Sequence, residues 1–417
     1  MAEAGRIHVV GAGLAGLSAA VASTHRGAQI VVYEAAKQAG GRCRSYHDNL
    51  LDLVIDNGNH LVLSGNQAVH RYLRAIGAEN RLAGSPHPEF GFFDVGTGRR
   101  WTVRPSDGRF PWWILSPARR VPGTRLRDYV ALASLMRRHP GRRIDEVIPC
   151  DGVFWDKFLR PVLVSALNTA PEEAAADLAG AVMRETLAKG GRFSRPLLAT
   201  PNLTAAFIDP ALNLLKRNGV EIQFGRPLRA VTREGDRLTK LIFDHGEERL
   251  GPQDSAILAV PPWALQTLLP QVPVPDAFRA IVNAHFRVES PASAPSILGL
   301  VGGTAEWIFA FADRISTTTS AADHLLEMDA DALGASLWRD VTMAHGLQTP
   351  IPPFRIVKEK RATFASTPAQ EARRPSARSS WTNLFLAGDW TNTGLPATIE
   401  GALRSGEAAS KLALGSK

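Results

Sequence analysis

The chain has little cysteine. Cys43 and Cys150 are the two thiols in 417 residues. That excludes a disulfide framework and a zinc-ligand set, and no metal is expected. Such scarcity points to a reducing compartment. Long apolar runs are also missing: none reaches the roughly 18–20 residues that cross a bilayer. The opening stretch MAEAGRIHVVGAG lacks the apolar core of a secretory signal and runs straight into a strand. A cytoplasmic protein is expected. Hydrophobic residues make up 45% and charged residues 21%, ordinary for a chain with a large core. At roughly 100–200 residues per domain, the length suggests two or three domains, or two built from discontinuous segments. The net charge of +8 points to an anionic partner: nucleic acid, membrane surface or acidic ligand.

Residues 6–35, RIHVVGAGLAGLSAAVASTHRGAQIVVYEA, read as strand, tight turn, helix and strand. Gly11, Gly13 and Gly16 form GxGxxG. Gly11 permits the turn, Gly13 lets backbone approach a pyrophosphate, and Gly16 lets helix and strand pack closely. The helix start offers free N–H groups to phosphate. Glu34 ends the second strand and is placed to accept from an adenosine ribose; it would repel a ribose 2′-phosphate. A second fingerprint is absent, because GLVGGTAEW at 299–307 has the wrong spacing. No built-in nicotinamide dinucleotide domain is expected.

Three further stretches carry a resemblance: GGRCRS (Gly40–Ser45), VIDNGNHLVLSG (Val54–Gly65) and LFLAGDWTNTGLPATIEGALRSGEAA (Leu384–Ala409). Together with the amino-terminal fingerprint they resemble the FAD-dependent amine oxidase and phytoene desaturase superfamily. The resemblance implies FAD, held by both ends of the chain. Gly40 and Gly41 would allow close backbone approach, and Arg42 would meet phosphate or flavin oxygens. Gly58 would leave room for the isoalloxazine, with Asn59 beside it. Asp389, after Gly388, would bind the ribityl chain. A helix starting at Ile399 would aim N–H groups at the flavin side that gains charge on reduction. Glu400 is an acid in that first turn, where the dipole favours it. The backbone near Pro227–Leu228 would contact adenine. Neither cysteine lies in the carboxy-terminal motif, so FAD is expected to be non-covalent.

Within the superfamily, GDW resembles the desaturase branch. FLRPVLVSALNTAPEEAAADL (Phe158–Leu178) reads as two helices broken at Asn168–Thr169, with Thr169 and Glu172 as a capping box around Pro171. With VKEKRATF (Val357–Phe364), these features resemble the hydroxysqualene dehydroxylases, over nearly the whole chain. The resemblance implies a C30 isoprenoid substrate, loss of water from an allylic alcohol, and hydride delivery from reduced flavin. An external donor, not identified by the sequence, would reduce the FAD. A carotenoid-type desaturase and then a flavin amine oxidase are the alternatives. The departing hydroxyl needs a proton donor, and the candidates are His60, Glu359 and Lys358.

Between Arg99 and Arg143 lie 12 arginines, no lysine and two acids, Asp107 and Asp128. Phe110, Trp112 and Trp113 sit among them. Leu126, Tyr129, Val130, Ala133 and Met136 recur at helical spacing, so 124–138 reads as an amphipathic helix. Aromatics and arginines beside such a helix suit a segment lying on an anionic membrane. Residues 105–140 are therefore expected to face the inner surface of the cytoplasmic membrane as a peripheral anchor. Nucleic acid is not expected, because the arginines surround an apolar helix and not a stacking platform. The expected fold class is α/β: a discontinuous Rossmann-like FAD-binding domain (1–85, 196–262, 378–417) and a mixed α+β substrate domain (86–195, 263–377). Helices are expected in the first substrate-domain insert and a sheet in the second.

Overall fold

The structure, a computed structural model, describes residues 5–415. Its organising element is a five-stranded parallel sheet in the order Glu221–Gln223, Gln29–Tyr33, Arg6–Val10, Ser255–Leu258, Leu384–Leu386. The strands come from four distant parts of the chain. SAIL and LFL are buried at every position, as befits strands covered on both faces.

One face carries two long-separated helices, Leu14–Thr24 and Ile399–Gly415. They cross closely. Ser18 Oγ donates to Leu403 O at 2.9 Å, and the Ser23 and Ser410 hydroxyls meet at 2.8 Å. A Cβ at Gly406 would run into the Ala15 carbonyl and sit 2.8 Å from Ser18 Cβ. Glycine here serves close approach, not a special backbone angle.

A seven-stranded mixed sheet forms the second layer. Its order is Phe354–Phe364, Phe278–Phe286, Ile315–Thr319, Trp307–Ala310, Ile297–Val301, Phe90–Asp94, Arg100–Val103. The last two strands come from the insert expected to be helical, so that insert contributes to the sheet as well. Val282, Ala284 and Phe286 pack on one face beneath the helix Ala330–His345, against Leu333, Leu337 and Val341. The other face meets a helical lobe, where Phe92, Trp307 and Phe309 pack with Phe158, Leu163 and Leu167.

Two local expectations are corrected. Asn168 does end the helix Arg160–Leu167, in a left-handed conformation. No capping box forms at Thr169, however, and the next helix starts only at Ala176. The Thr169 hydroxyl is taken by other partners: it accepts from the distant Ser366 N at 2.9 Å and donates to the neighbouring Leu167 O at 3.2 Å. Likewise the helix expected over 124–138 is a 3₁₀ turn, Leu126–Tyr129, followed by a short helix, Val130–Leu135. Tyr129 turns inward, its hydroxyl accepting from Val121 N at 3.0 Å. Among the described residues no helix is long and apolar enough to cross a membrane.

Gly406→Val forces apart the two helices that join the ends of the chain. It is expected to cost about 3 kcal/mol of stability, at the upper end for overpacking. Denaturant unfolding at wild-type stability would contradict the crossing described.

Candidate functional site

The glycine-rich turn is built by its surroundings. Gly11 has φ +107, and its N–H donates to Tyr33 O at 2.7 Å. A Cβ on Gly16 would enter the Gly11 carbonyl. Gly13, the residue capping the first helix, differs: φ is −74° and a Cβ there would meet nothing within 4 Å. Side-chain room is open at the head of a helix that has no side-chain cap. The second glycine pair closes on this turn. Gly40 N donates to Ala12 O at 2.8 Å, and a Cβ on Gly41, at φ +57, would lie 3.5 Å from Gly13 Cα. The two glycine turns form a backbone cradle, with a helix dipole at its base.

Glu34 stands at one end, half-buried. Its carboxylate accepts from Ala12 N at 2.6 Å and Ala36 N at 2.8 Å. Arg226 N donates to Glu34 O at 2.9 Å, which brings the Pro227–Leu228 backbone alongside. Arg42 and Asp389, assigned separately from sequence, form an ion pair at 2.7 Å. Burial opposes the Arg42 charge, but Asp389 and then Glu359 hold its pKa above the ordinary arginine value. Gly388 precedes Asp389 because a Cβ there would strike the Trp390 indole, whose Nε1 donates to Val260 O at 3.0 Å.

Arg374 gave no signal in the sequence. It is fully buried, pairs with Glu371 at 2.6 Å, and donates to the carbonyls of Asp389 and Trp390 at 3.2 and 3.4 Å. It therefore sets the loop that carries Asp389. The helix starting at Ile399 is capped by Thr398 Oγ1, which accepts from Gly401 N at 3.0 Å. Glu400 does more than answer its own helix dipole. Buried, it accepts from Ala68 N and Val69 N, both at 3.0 Å, and so caps the helix Gln67–Ala75 from outside.

Gly58 and Asn59 press against the seven-stranded sheet. A Cβ on Gly58 would lie 3.1 Å from Asn283 Nδ2. Asn59 Nδ2 donates to Thr318 Oγ1 at 3.0 Å, and Thr318 Oγ1 donates to Asn283 Oδ1 at 2.7 Å. Asn283 and Thr318 carried no motif, so the sequence did not single them out. Asn59 Oδ1 is a buried acceptor without a protein partner among the described residues. Buried polar atoms are rarely left so, which suits a ligand donor at this place.

The three proton-donor candidates do not share one surface. Lys358 pairs across the sheet with buried Val282, under the helix Ala330–His345. Its ammonium donates to Leu326 O at 2.8 Å and Met328 O at 2.6 Å, away from Gly58. It is corrected to an anchoring residue. His60 is pushed down to about 4, chiefly by burial and also by the Arg42 charge. It is neutral at pH 7 and is not a reservoir of imidazolium. Glu359 lies on the Arg42 side, accepting from Asn57 Nδ2 at 3.3 Å.

Residues 14–414 match the family of flavin-containing amine oxidoreductases. The chain is 48% identical to hydroxysqualene dehydroxylase of Zymomonas mobilis, over 98% of both chains. It is also 48% identical to hydroxysqualene dehydroxylase of Sinorhizobium fredii, again over 98% of each. This chain belongs to the hydroxysqualene dehydroxylase family. Among solved structures, cyclohexylamine oxidase of Brevibacterium oxydans has the same fold, with a TM-score of 0.74, 13% identity and 99% of each chain covered. Hydroxysqualene dehydroxylases are thus one branch of the α/β flavin-oxidoreductase fold, and a flavin is the cofactor of this chain.

The cradle fits that cofactor, and Gly13 separates binding from folding. Gly13→Val has free space in the unliganded protein and is expected to cost it about 1 kcal/mol or less. The same side chain fills the room a pyrophosphate needs. Purified variant should lose its yellow absorbance, while its unfolding midpoint matches that of wild-type protein stripped of flavin. Full flavin content in this variant would refute the cradle.

Proposed function

We propose that this chain converts hydroxysqualene to squalene, using reduced FAD held without a covalent bond. The observation that carries this is the near-half identity to hydroxysqualene dehydroxylases along both full chains. The lobe beside the site suits such a substrate. Its core is apolar, with Phe92, Phe158, Trp307 and Phe309 packed together, and dry surroundings are what an allylic cation needs. Reduced flavin, when bound, supplies the hydride. The protein's part is to hold it, through the Gly13–Gly41 cradle at one end and Asp389 at the other, and to keep the reacting carbon dry. Gly11, Gly13, Gly16, Glu34, Gly41, Arg42, Gly58, Asn59, Leu228, Gly388, Asp389 and Ile399 are its proposed cofactor contacts. The division into FAD and substrate segments given above is likewise our reading. Non-covalent binding is supported by the thiols: Cys43 is buried, with its pKa raised by burial and Asp56, and Cys150 lies in the lobe.

Anaerobic, photoreduced holoenzyme mixed with hydroxysqualene in detergent should yield squalene and one oxidised FAD per turnover. The FAD should leave the protein on acid denaturation. Desaturation of phytoene by oxidised enzyme, or reduction of the flavin by amines alone, would replace this reading.

We also propose a cytoplasmic enzyme that docks on an anionic membrane through the segment 105–140. Five of the thirteen exposed large apolar residues among the described residues fall there: Phe110, Trp112, Leu115, Leu126 and Val130. Phe110 and Trp112 are 70% and 66% exposed, with rings 5.9 Å apart. Trp113 does not belong to this surface; it is 4% exposed and packs edge-on against Tyr129. Nor are all the arginines free. Arg119 donates to the Arg104 and Pro105 carbonyls, and Arg120 to Ile114 O. Arg109, Arg125 and Arg127 are exposed and face solvent, Arg127 with Asp128 3.9 Å from its guanidinium. Replacing each by Ala should weaken binding to anionic vesicles by about fivefold at low salt, near 1 kcal/mol per charge. Phe110→Ala with Trp112→Ala should weaken it at high salt too, because that contribution is apolar. Binding that ignores both sets of changes would remove the membrane from this account.

A further inference from the structure

We propose that Glu306 is the acid that protonates the departing hydroxyl of the substrate. This rests on the reaction proposed above. Hydroxide leaves a carbon poorly, so the step needs a positioned proton donor. Lys358 points to the far face of the sheet, His60 is neutral and Glu359 is engaged with Asn57 and Arg42.

Glu306 lies in the turn before the strand Trp307–Ala310. Its backbone is fixed on both sides: Glu306 N donates to Thr318 O at 3.1 Å, and Leu300 N donates to Glu306 O at 2.7 Å. Its carboxyl accepts from Ser320 N at 2.8 Å. Ser320 is two residues beyond Thr318, the residue bonded to both Asn59 and Asn283. At about 3.4 Å per residue, the carboxyl is held roughly 7 Å along the strand from that chain of bonds. The helical lobe is fastened at the same place. Trp307 Nε1 donates to Ser165 Oγ on the helix Arg160–Leu167, and Asn168 Oδ1 accepts from Ala321 N at 2.7 Å. Glu306 thus stands where the polar stripe beside Gly58 meets the apolar lobe.

Its charged surroundings are sparse. Arg160 faces it from the lobe helix and is itself 3.8 Å from Glu172. Asp340, from the helix Ala330–His345, is occupied by the amides of Thr304 and Ala305 at 2.6 and 2.9 Å. The strand Ile315–Thr319 and the residue after it bring Thr318 and Ser320, both uncharged. Glu306 is partly exposed to solvent; desolvation of its carboxyl is the largest effect and raises it to about 7, against smaller opposing effects of Ser320 and Arg160. A proton is present near neutral pH and lost above it.

The step balances as follows. The allylic C–O bond breaks and its electron pair leaves on oxygen. That oxygen takes the Glu306 proton and departs as water. The allylic cation accepts hydride from the reduced cofactor, which becomes oxidised, and solvent returns a proton to Glu306. An external reductant restores the cofactor.

The test is anaerobic single turnover of reduced holoenzyme with hydroxysqualene, following flavin reoxidation from pH 6 to 9. The wild-type rate should fall above about pH 7. Glu306→Gln should slow reoxidation by about 10²–10⁴-fold, lose that pH dependence, and retain FAD content and unfolding midpoint. A wild-type rate in Glu306→Gln, or an unchanged pH limb in that variant, overturns the assignment. Where the variant fails to fold, the wild-type profile decides: a rate flat from pH 6 to 9 overturns it equally. Failure of wild-type reduced enzyme to consume hydroxysqualene at any pH instead overturns the substrate assignment, and Glu306 with it.

Discussion

The Arg42–Asp389 ion pair joins residues 347 positions apart. It closes the gap between the GGR turn and the carboxy-terminal loop, neither of which has regular structure to hold it. At 2.7 Å, with Asp389 nearly buried and Arg42 partly exposed, it is a short charge-assisted bond. Everything that sets either partner bears on the site. Arg374 fixes the Asp389 loop by its carbonyls. Ser405, on the terminal helix, accepts from Gly388 N at 2.9 Å. Gly406, one residue on, brings that helix against the first one. Cofactor geometry and the closure of the chain are thus one constraint.

The second layer divides its labour by strand alternation, since successive side chains point to opposite faces. Val282, Ala284 and Phe286 serve packing under the helix Ala330–His345. Asn283 and His285 point the other way, with Thr318 and Ser316 beside them. His285 Nδ1 and Ser316 Oγ meet at 2.8 Å, and burial pushes the histidine down to about 3, so it is a neutral hydrogen-bonding group. A buried polar row next to an apolar lobe is costly unless satisfied. Most of its members are bonded to one another.

Local stretches were legible. The strand–turn–helix–strand unit follows its glycines, and the helix at Ile399 follows its Thr398 cap. Short-range signals of this kind are decided within a few residues. The arginine–aromatic segment was less legible. Periodicity suggested one long helix, but Tyr129 and Trp113 pack inward against each other and break it, while Phe110 and Trp112 remain outside. Residues in one run take opposite environments because neighbours in the 3₁₀ turn Trp112–Leu115 project in different directions, Trp113 into the core and Trp112 to solvent.

By itself, the sequence determined the dinucleotide unit and the identity of the two loops that flank it, because glycine at a turn such as Gly11, or at a close approach such as Gly16, is demanded by backbone sterics alone. Tertiary structure decided the partners of charge. Lys358 and Glu359 are adjacent in sequence yet lie on opposite faces of one strand. Glu306, Asn283 and Arg374 stand in stretches with no motif and acquire their roles from burial and from neighbours brought in across the sheets. A hydrogen bond over hundreds of residues, or a pKa raised by desolvation, is a property of enclosure, and enclosure is written in the packing rather than in any short run of residues.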